Sequence, residues 1–245
     1  MSRSSRRPTI TSFDLPAGRI LARKYEILDR LGGGWEGEVY HVREVGTGVE
    51  RTAKLFYPHR NRSDRAARFY AQKLHKLQHC PILIQYHSQE TIVVRGHTIR
   101  VLVSEYVEGE LLSAFLARQS GRRLQPFTAL HLLHALSSGI DEIHRTGEYH
   151  GDLHTENVIV QRFGLGFDLK LVDLFPWGAP TAQHRADDVI NLVRIFYDAL
   201  GGQRHYARQP LPVKQICCGL KRSLILAKFR TAGQLRDFLE DLVWS

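Results

Sequence analysis

The densest group of chemically capable side chains lies in residues 150–157, which read His-Gly-Asp-Leu-His-Thr-Glu-Asn. The carboxylate of Asp152 precedes the amide of Asn157 by five positions, and an apolar run follows directly. A carboxylate at the entrance of a strand can accept a proton from an attacking hydroxyl group. An amide oxygen is a hard ligand that suits Mg²⁺. A second apolar run ends at Asp173. We therefore predict Asp152 as a general base and Asn157 with Asp173 as metal ligands.

A glycine-rich segment near the start of the chain fits the pattern G-x-G-x-x-G-x-V at Gly32, Gly34, Gly37 and Val39. Glycine lets the backbone approach a phosphate chain closely and point its N–H groups at it. A dinucleotide site needs a helix directly after the glycines, whereas the residues after Val39 continue as a strand. The segment therefore predicts a flap over phosphates, with a glycine-rich hairpin turn as the alternative.

Lys54 is the cation that we expect beneath this flap. It lies fifteen residues after Val39, one hairpin further along the chain. Strand alternation points its side chain away from the apolar neighbours Ala53 and Leu55. In that position the ammonium would hold phosphate oxygens, and a solvent-facing strand lysine is the alternative.

The elements that must position these residues change character along the chain. Short runs rich in β-branched or aromatic residues predict strands, and one amphipathic helix interrupts them with its apolar stripe on Ala67, Tyr70, Ala71, Leu74 and Leu77. Beyond Gly109 the apolar residues step by three and four, which predicts helices. The order predicts an α+β protein with a β-rich first lobe and a mainly helical second lobe. We assign 1–18 as a disordered basic tail, 19–107 as the first lobe and 108–245 as the second.

Charge and cysteine content limit the partners and the compartment. The net charge is +9, but residues 1–24 carry +5 of it, so the body has no basic stripe and nucleic-acid binding is not expected. The tail has two alternatives, a short targeting sequence or a phosphate-binding arm. Three cysteines without C-x-x-C spacing predict neither disulfides nor zinc. No apolar run reaches the ~18 residues of a membrane span. We therefore expect a reduced, cytoplasmic protein without a membrane partner.

Taken in order, these motifs resemble those of the protein kinase-like superfamily over roughly Tyr25 to Leu242. The resemblance implies a two-lobed kinase fold, ATP and Mg²⁺ as cofactors, and transfer of the γ-phosphate to a hydroxyl group. It assigns nucleotide binding to Gly32, Gly34, Gly37, Val39 and Lys54, with Lys54 on the α- and β-phosphates. It assigns the catalytic-loop carboxylate to Asp152 and the metal ligands to Asn157 and Asp173.

Residues 103–109 are similar to the segment that joins the two lobes in that superfamily. The resemblance places Ser104 at the gatekeeper position, and the main-chain groups of Glu105 and Val107 would hold adenine. Further along, Asp188 and Val189 open an apolar stretch that resembles the buried helix of the larger lobe.

The chain departs from the family pattern in the first-lobe helix. The family carries a glutamate there that pairs with the strand lysine, and Tyr70 stands at the matching place. Lys54 then lacks its usual partner unless Glu90, in the next strand region, substitutes for it. This departure favours a pseudokinase scaffold as an alternative to an enzyme.

The segment from Asp173 to Asp188 departs as well. Asp188 follows Asp173 by fifteen positions, and the segment has Asp173-Leu174-Phe175 in place of Asp-Phe-Gly and contains one hydroxyl side chain, Thr181. The catalytic loop has Gly151 where the family carries an arginine that binds a phosphorylated activation segment. We therefore predict a shortened activation segment that is not controlled by phosphorylation.

The acceptor is predicted from His154. Kinases of the Ser/Thr type carry lysine at this place, and the run His-Gly-Asp-Leu-His with Asn157 resembles aminoglycoside and choline phosphotransferases. The first lobe, in contrast, resembles Ser/Thr protein kinases. We predict an MgATP-dependent transfer to Ser or Thr of a protein, with a small-molecule hydroxyl as the alternative acceptor. His154 is a candidate catalytic contact to the γ-phosphate, or it packs against the loop.

Overall fold

The computed structural model describes residues 9–164, 166–174 and 178–242. These residues form two compact units. The first unit runs to Gln78 and includes Ile84–Tyr106, and the second contains His79–Leu83 and the chain from Val107 onward.

The first unit is built on an antiparallel sheet of six strands in the order β1-β2-β3-β4-β6-β5. One α-helix interrupts the strands in sequence between β4 and β5. The elements are β1 (Ile20–Leu21), β2 (Tyr25–Gly33), β3 (Gly37–Glu44), β4 (Glu50–Phe56), α1 (Arg65–Lys76), β5 (Tyr86–Val94) and β6 (His97–Glu105). The strands and the amphipathic helix predicted for this region are confirmed.

The core of this sheet follows from strand alternation. In β4, Ala53 and Leu55 are fully buried in one apolar cluster, and Lys54 between them points to the opposite face. The β5–β6 hairpin closes through Arg95 and Gly96, both with φ near +60° (50° and 76°). This is the geometry of a two-residue type I′ turn, which fixes the register of the two strands.

The N-terminal segment differs from the predicted disordered tail. Residues 1–8 lie outside the described residues, but from Thr9 onward the chain packs on the sheet, with Ile10, Phe13 and Leu15 buried in the core. The prediction of disorder was therefore wrong for residues 9–18. The Ser/Arg-rich composition of the tail concealed these three apolar residues.

A buried carboxylate holds this segment in place. Glu38 has no solvent exposure, and its oxygens accept hydrogen bonds from the Ser12 hydroxyl (3.0 Å) and the main-chain N–H groups of Phe13 (3.0 Å) and Asp14 (3.4 Å). The hydroxyls of Tyr40 and Tyr57 donate to it as well. Glu38 therefore supplies acceptors to N–H groups that belong to no strand or helix.

The same contacts set the ionisation of the cluster. Burial acts to raise the pKa of Glu38, but the hydrogen bonds from Tyr40, Phe13 and Ser12 outweigh it and hold that pKa below its ordinary value. Burial and the hydrogen bond to Glu38 raise the pKa of Tyr40 to about 12. The carboxylate is therefore charged and the phenol neutral across the physiological range.

The second unit is mainly helical and carries one small antiparallel sheet in the order β7-β8-β9. Its elements are β7 (Glu110–Leu111), α2 (Leu112–Ala117), α3 (Pro126–Arg145), β8 (Val158–Phe163), β9 (Gly166–Leu171), α4 (Ala182–Ala199), α5 (Gln203–Tyr206), α6 (Leu211–Cys217), α7 (Arg222–Lys228) and α8 (Ala232–Glu240). The mainly helical character predicted beyond Gly109 is confirmed, with Ile140, Val193 and Leu239 lying in α3, α4 and α8. Among the described residues, no helix is long and apolar enough to cross a membrane.

Replacing Phe13 by alanine tests whether the N-terminal segment belongs to the folded core. The ring is 1% exposed and stacks on Tyr57 with centroids 5.2 Å apart. We expect Phe13→Ala to lower the free energy of unfolding by about 3–5 kcal/mol, as for other buried Phe→Ala changes. Val93→Ala, at a side chain 66% exposed on the same sheet, is the control and should change it by less than ~0.5 kcal/mol. Equal stability of both variants in urea denaturation would contradict the buried position of Phe13.

Candidate active site

The loop between α3 and β8 brings three of the predicted site residues together. The amide Nδ2 of Asn157 lies 3.2 Å from Asp152 Oδ2 and 3.0 Å from His154 Nε2, and it donates to the main-chain oxygen of Asp152 (2.8 Å). Asp152 and His154 are about half exposed (52% and 48%), with Asp152 Oδ1 3.6 Å from His154 Nε2. The amide thus orients a solvent-accessible carboxylate, as a base that must meet an incoming hydroxyl requires.

His150 fixes the start of this loop from inside. Its ring is fully buried, with Nδ1 accepting from Asp152 N–H (3.2 Å) and Nε2 3.2 Å from the main-chain oxygen of Val172. A carbonyl oxygen only accepts, so Nε2 carries the proton and Nδ1 is the acceptor. The neutral ring therefore links the segment before Asp173 to the backbone of Asp152.

Asp188 holds the same loop through hydrogen bonds to its main chain. Its carboxylate has no solvent exposure and accepts from the main-chain N–H groups of His150 (2.7 Å) and Gly151 (2.8 Å) and lies 3.1 Å from His144 Nε2. Gly151 has a φ of 86°, a left-handed conformation that favours glycine. The loop N–H groups at this bend have no partner in a helix or strand, and Asp188 satisfies them.

These partners determine the ionisation of Asp188. Burial acts to raise the pKa of this carboxyl, but the hydrogen bond from His144 and those from the two main-chain N–H groups outweigh burial. The pKa of Asp188 is therefore held below its ordinary value, and the group is a carboxylate at neutral pH.

Asp173 follows β9 in a bent conformation beside the catalytic loop. The register pairs Val158 with Leu171, and the Val172 N–H donates to the main-chain oxygen of Asn157 (3.0 Å). Asp173 itself has a φ of 53°, and Leu174 after it is buried. The pairing of the two strands therefore brings the segment of Asp173 next to Asn157. Phe175, the third residue of the predicted motif, lies outside the described residues.

In the first unit, the glycine segment joins two strands, with Gly32 in β2, Gly37 in β3 and the turn between them. Its role as a flap over phosphates stays a prediction. Strand pairing places Val39 directly opposite Lys54, so both side chains emerge on the same face of the sheet. A Cβ atom at Gly37 would lie 1.9 Å from the main-chain oxygen of Leu55, so glycine is required there. At Gly32 and Gly34 the same added atom would meet nothing within 4 Å, so these two are not required by packing.

Lys54 forms an ion pair with Glu36, a residue of the glycine loop. Lys54 Nζ lies 3.1 Å from Glu36 Oε2 and 4.8 Å from the centre of the Tyr70 ring. Glu90, the predicted substitute, instead binds Lys24 at 2.7 Å. The prediction for Glu90 was wrong because its strand position directs the carboxylate to Lys24. Tyr70 faces the ammonium from α1, where the family carries a glutamate.

The segment predicted to bind adenine begins at the end of β6. The main-chain N–H of Glu105 donates to the oxygen of Gln85 (3.0 Å), and the Glu105 carboxylate accepts from the Gln85 N–H (3.0 Å). Next to it, the ring of Tyr106 stacks on His41 with centroids 3.7 Å apart. Val107 is the first residue of the second unit after this segment. An adenine contact at Glu105 would therefore use the carbonyl group.

Comparison with known proteins identifies the family. A family model described as the protein kinase domain matches residues 25–189, about two thirds of the chain. The chain belongs to the protein kinase family. It is 31% identical over 163 residues to the serine/threonine-protein kinase pkn2 of Myxococcus xanthus, covering 64% of this chain and 18% of that protein. It is 27% identical over 159 residues to the serine/threonine-protein kinase PrkC of Bacillus subtilis, covering 64% and 23%.

Solved structures support the same fold. The kinase domain of Mycobacterium tuberculosis PknI matches with a TM-score of 0.64 and 19% identity, over 92% of this chain and 97% of that one. The predicted α+β kinase fold is therefore confirmed. This kinase-family chain spans between 18% and 38% of the length of the first four curated relatives that it matches.

Sequence analysis does not predict the contacts that Glu36 and Asp188 make at the candidate site. Glu36 lies between two of the motif glycines, where its charge carries no pattern of its own. Asp188 offers a signal, because it lies one helical turn before Leu192 on the apolar face of α4, and an acid on such a face needs buried donors. Helix α4 also begins six residues earlier than Asp188, at Ala182.

Substitution of Asp188 by asparagine tests the anchor. We expect Asp188→Asn to lower the free energy of unfolding by about 3 kcal/mol at neutral pH, because a buried, multiply hydrogen-bonded charge is lost. The folded-state pKa of Asp188 is depressed, so its contribution is present above the unfolded value of about 4 and is lost as pH falls through the folded pKa. The difference between wild type and variant should therefore shrink below pH ~4. A difference independent of pH in chemical denaturation would exclude this account.

Proposed function

We propose that this chain is an MgATP-dependent protein kinase that transfers the γ-phosphate to Ser or Thr hydroxyls of a protein. The observation that carries the proposal is the arrangement of residues 150–157. There a half-exposed Asp152 carboxylate is oriented by Asn157, and the loop is fixed by Asp188 and His150. A catalyst needs an accessible carboxylate held in one orientation, whereas an unreactive scaffold does not.

The residues proposed for the nucleotide lie around the glycine loop. Gly32 and Gly34 have no neighbour over their Cβ positions, which leaves the backbone there accessible to phosphates. Val39 and Lys54 form a cross-strand pair on one face, and the Lys54 side chain is 12% exposed. This placement supports contact of the Lys54 ammonium with phosphate oxygens, while the Glu105 carbonyl and main-chain groups of Val107 would bind adenine.

The donor set at the end of β9 suits magnesium. Asn157 makes its contacts with Asp152 and His154 through Nδ2, so its oxygen is the ligand atom, and Asp173 adds a carboxylate. Mg²⁺ prefers hard oxygen ligands and is usually bound by few carboxylates together with substrate phosphates. When bound, the ion neutralises charge on the phosphate oxygens.

Asp152 acts on the acceptor. Its carboxylate accepts the proton of the Ser or Thr hydroxyl as the oxygen bonds to the γ-phosphorus, while the bond from that phosphorus to the β,γ-bridging oxygen breaks and ADP leaves. Asn157 keeps the carboxylate in place. We propose His154, whose Nε2 lies 3.6 Å from Asp152 Oδ1, as a contact to the transferred phosphoryl group. The rate enhancement would come chiefly from positioning and from charge compensation, as in other phosphoryl transfers.

The acceptor class is supported by the relatives. The curated relatives named above are serine/threonine-protein kinases, which favours a protein hydroxyl over the small-molecule acceptor that the His-Gly-Asp-Leu-His run suggests. The cytoplasmic location stays a prediction, and the three free thiols, Cys80, Cys217 and Cys218, are consistent with a reducing compartment. That nucleic acid is not a partner also stays a prediction.

Nucleotide binding and transfer can be separated with two isosteric variants. In wild type, MgATP at ~100 times its dissociation constant should add about 2.7 kcal/mol to the free energy of unfolding. We expect Asp173→Asn to lose the Mg²⁺-dependent part of this thermal shift. Asp152→Asn should keep the shift but transfer phosphate at least ~100-fold more slowly, because only the base is lost. A wild type that shows no shift with any nucleotide, or an active Asp152→Asn preparation free of other kinases, would refute the proposal.

The N-terminus of α4 provides a test of whether phosphorylation of Thr181 controls activity. Its hydroxyl accepts from the His184 N–H (3.2 Å) as the N-cap of α4, so Thr181→Ala should cost about 1 kcal/mol of stability. Thr181→Asn preserves a capping oxygen and removes the phosphorylation site. We expect this variant to transfer phosphate at the wild-type rate. A rate that follows phosphate occupancy at Thr181, measured by mass spectrometry, would show that the short segment is regulated after all.

A further inference from the structure

We infer that Glu36, in the glycine loop, is the carboxylate that positions Lys54 for the nucleotide phosphates, in place of the acid that α1 lacks. This inference rests on the proposed function and adds a positioning residue to it. All the contacts that carry it lie within the first unit.

The environment of Lys54 requires a counter-charge. The Lys54 side chain is 12% exposed and the Glu36 side chain 19% exposed, so the pair is largely withdrawn from water. An ammonium withdrawn in this way is costly unless a carboxylate or another acceptor faces it. The 3.1 Å contact between Nζ and Oε2 is a charge-assisted hydrogen bond that supplies this partner.

Helix α1 has no residue that can replace Glu36. Its twelve residues include no Asp or Glu, and the residue that it turns towards the ammonium is Tyr70, which is 3% exposed. The ring face, 4.8 Å from Nζ, offers a cation–π contact that stabilises the charge but does not accept a hydrogen bond in the manner of a carboxylate. Tyr70 therefore supports Lys54 from one side, and Glu36 binds it.

The glycine loop holds Glu36 in a defined place. The main-chain oxygen of Glu36 accepts from the Tyr57 N–H (2.9 Å), and the Gly34 N–H donates to the Gly37 oxygen (2.9 Å). At the tip, the Trp35 ring lies 4.1 Å from the Arg60 guanidinium carbon. Contacts on both sides of Glu36 therefore fix the loop backbone, which holds the Glu36 carboxylate next to the Lys54 ammonium.

An ion pair with Glu36 is compatible with phosphate binding. A lysine ammonium has three N–H donors and no acceptor, so one carboxylate does not exhaust it. The ion pair restricts the rotation of a flexible side chain to the geometry that phosphates would need, which is the usual benefit of pre-organisation. Loss of Glu36 should therefore slow transfer more than it weakens binding.

The first test is kinetic. With MgATP and α-casein as the acceptor, we expect Glu36→Gln to lower kcat about tenfold to a hundredfold with a smaller change in KM for MgATP. Glu50→Gln is the matched control, since it removes a carboxylate of the same sheet that binds His41 and Arg43 and does not contact Lys54. In the double variant Glu36→Gln/Tyr70→Glu, a carboxylate placed on α1 should restore most of the rate.

The second test needs no nucleotide. Acetylation of Lys54 by acetic anhydride, followed by mass spectrometry with Lys24 as internal reference, reports how strongly the ammonium is held. We expect Glu36→Gln to accelerate labelling of Lys54 about fivefold, the order expected for loss of a partly buried ion pair. The double variant should return the labelling rate towards that of wild type.

These arms separate the inference from the proposed function. An unchanged rate of Lys54 labelling in Glu36→Gln would overturn the role of Glu36. So would a Glu36→Gln variant that binds nucleotide more tightly than wild type and turns over as fast, because Glu36 would then compete with phosphate for Lys54. If wild type transfers no phosphate but labelling changes as expected, the ion pair stands and the proposed function fails.

Discussion

The second unit depends on one carboxylate that has no contact with solvent. Asp188 receives the N–H groups of His150 and Gly151, which lie at a bend where no helix or strand can satisfy them. Two main-chain donors converging on one side chain fix the path of the backbone, and Asp152 follows directly. A loop without regular structure can hold a base in one orientation only if its own polar groups are satisfied in this way. The exposed chemistry of the loop thus depends on a buried charge.

The first unit uses the same physical device. Glu38, also fully buried, accepts from the N–H groups of Phe13 and Asp14 and holds the N-terminal segment against the sheet. It lies immediately after Gly37, the last glycine of the loop. In each unit, therefore, a charge that would be costly alone is stabilised by main-chain donors and fixes a segment beside the site. Both groups have a depressed pKa because hydrogen bonds from side chains, Tyr40 for Glu38 and His144 for Asp188, together with those from the main chain, outweigh burial.

Sequence analysis predicts what depends on nearby residues. The strands and the helices follow from periodicity, and the structure confirms them. Asp152 and Asn157 are five positions apart and lie in contact, and their proposed roles stay predictions. Sequence analysis fails where a residue's contact partner lies far away along the chain. Residues 9–18 look disordered by composition, since their acceptor Glu38 lies about 25 residues away along the chain. The partner of Glu90, Lys24, is 66 residues distant, and only the assembled sheet brings the two together.

The ion pair between Lys54 and Glu36 couples the position of the Lys54 side chain to the position of the glycine loop. A lysine held from a separate helix is released when that helix moves, whereas Glu36 lies in the turn between β2 and β3, 18 residues before Lys54 in β4 of the same sheet. The loop that carries the accessible glycines also carries the carboxylate. Any displacement of this loop therefore changes the phosphate cover and the lysine geometry together. The Tyr70 ring contacts the ammonium and α1 contributes no acid, so the ion pair with Glu36 ties Lys54 to the hairpin that would enclose the phosphates.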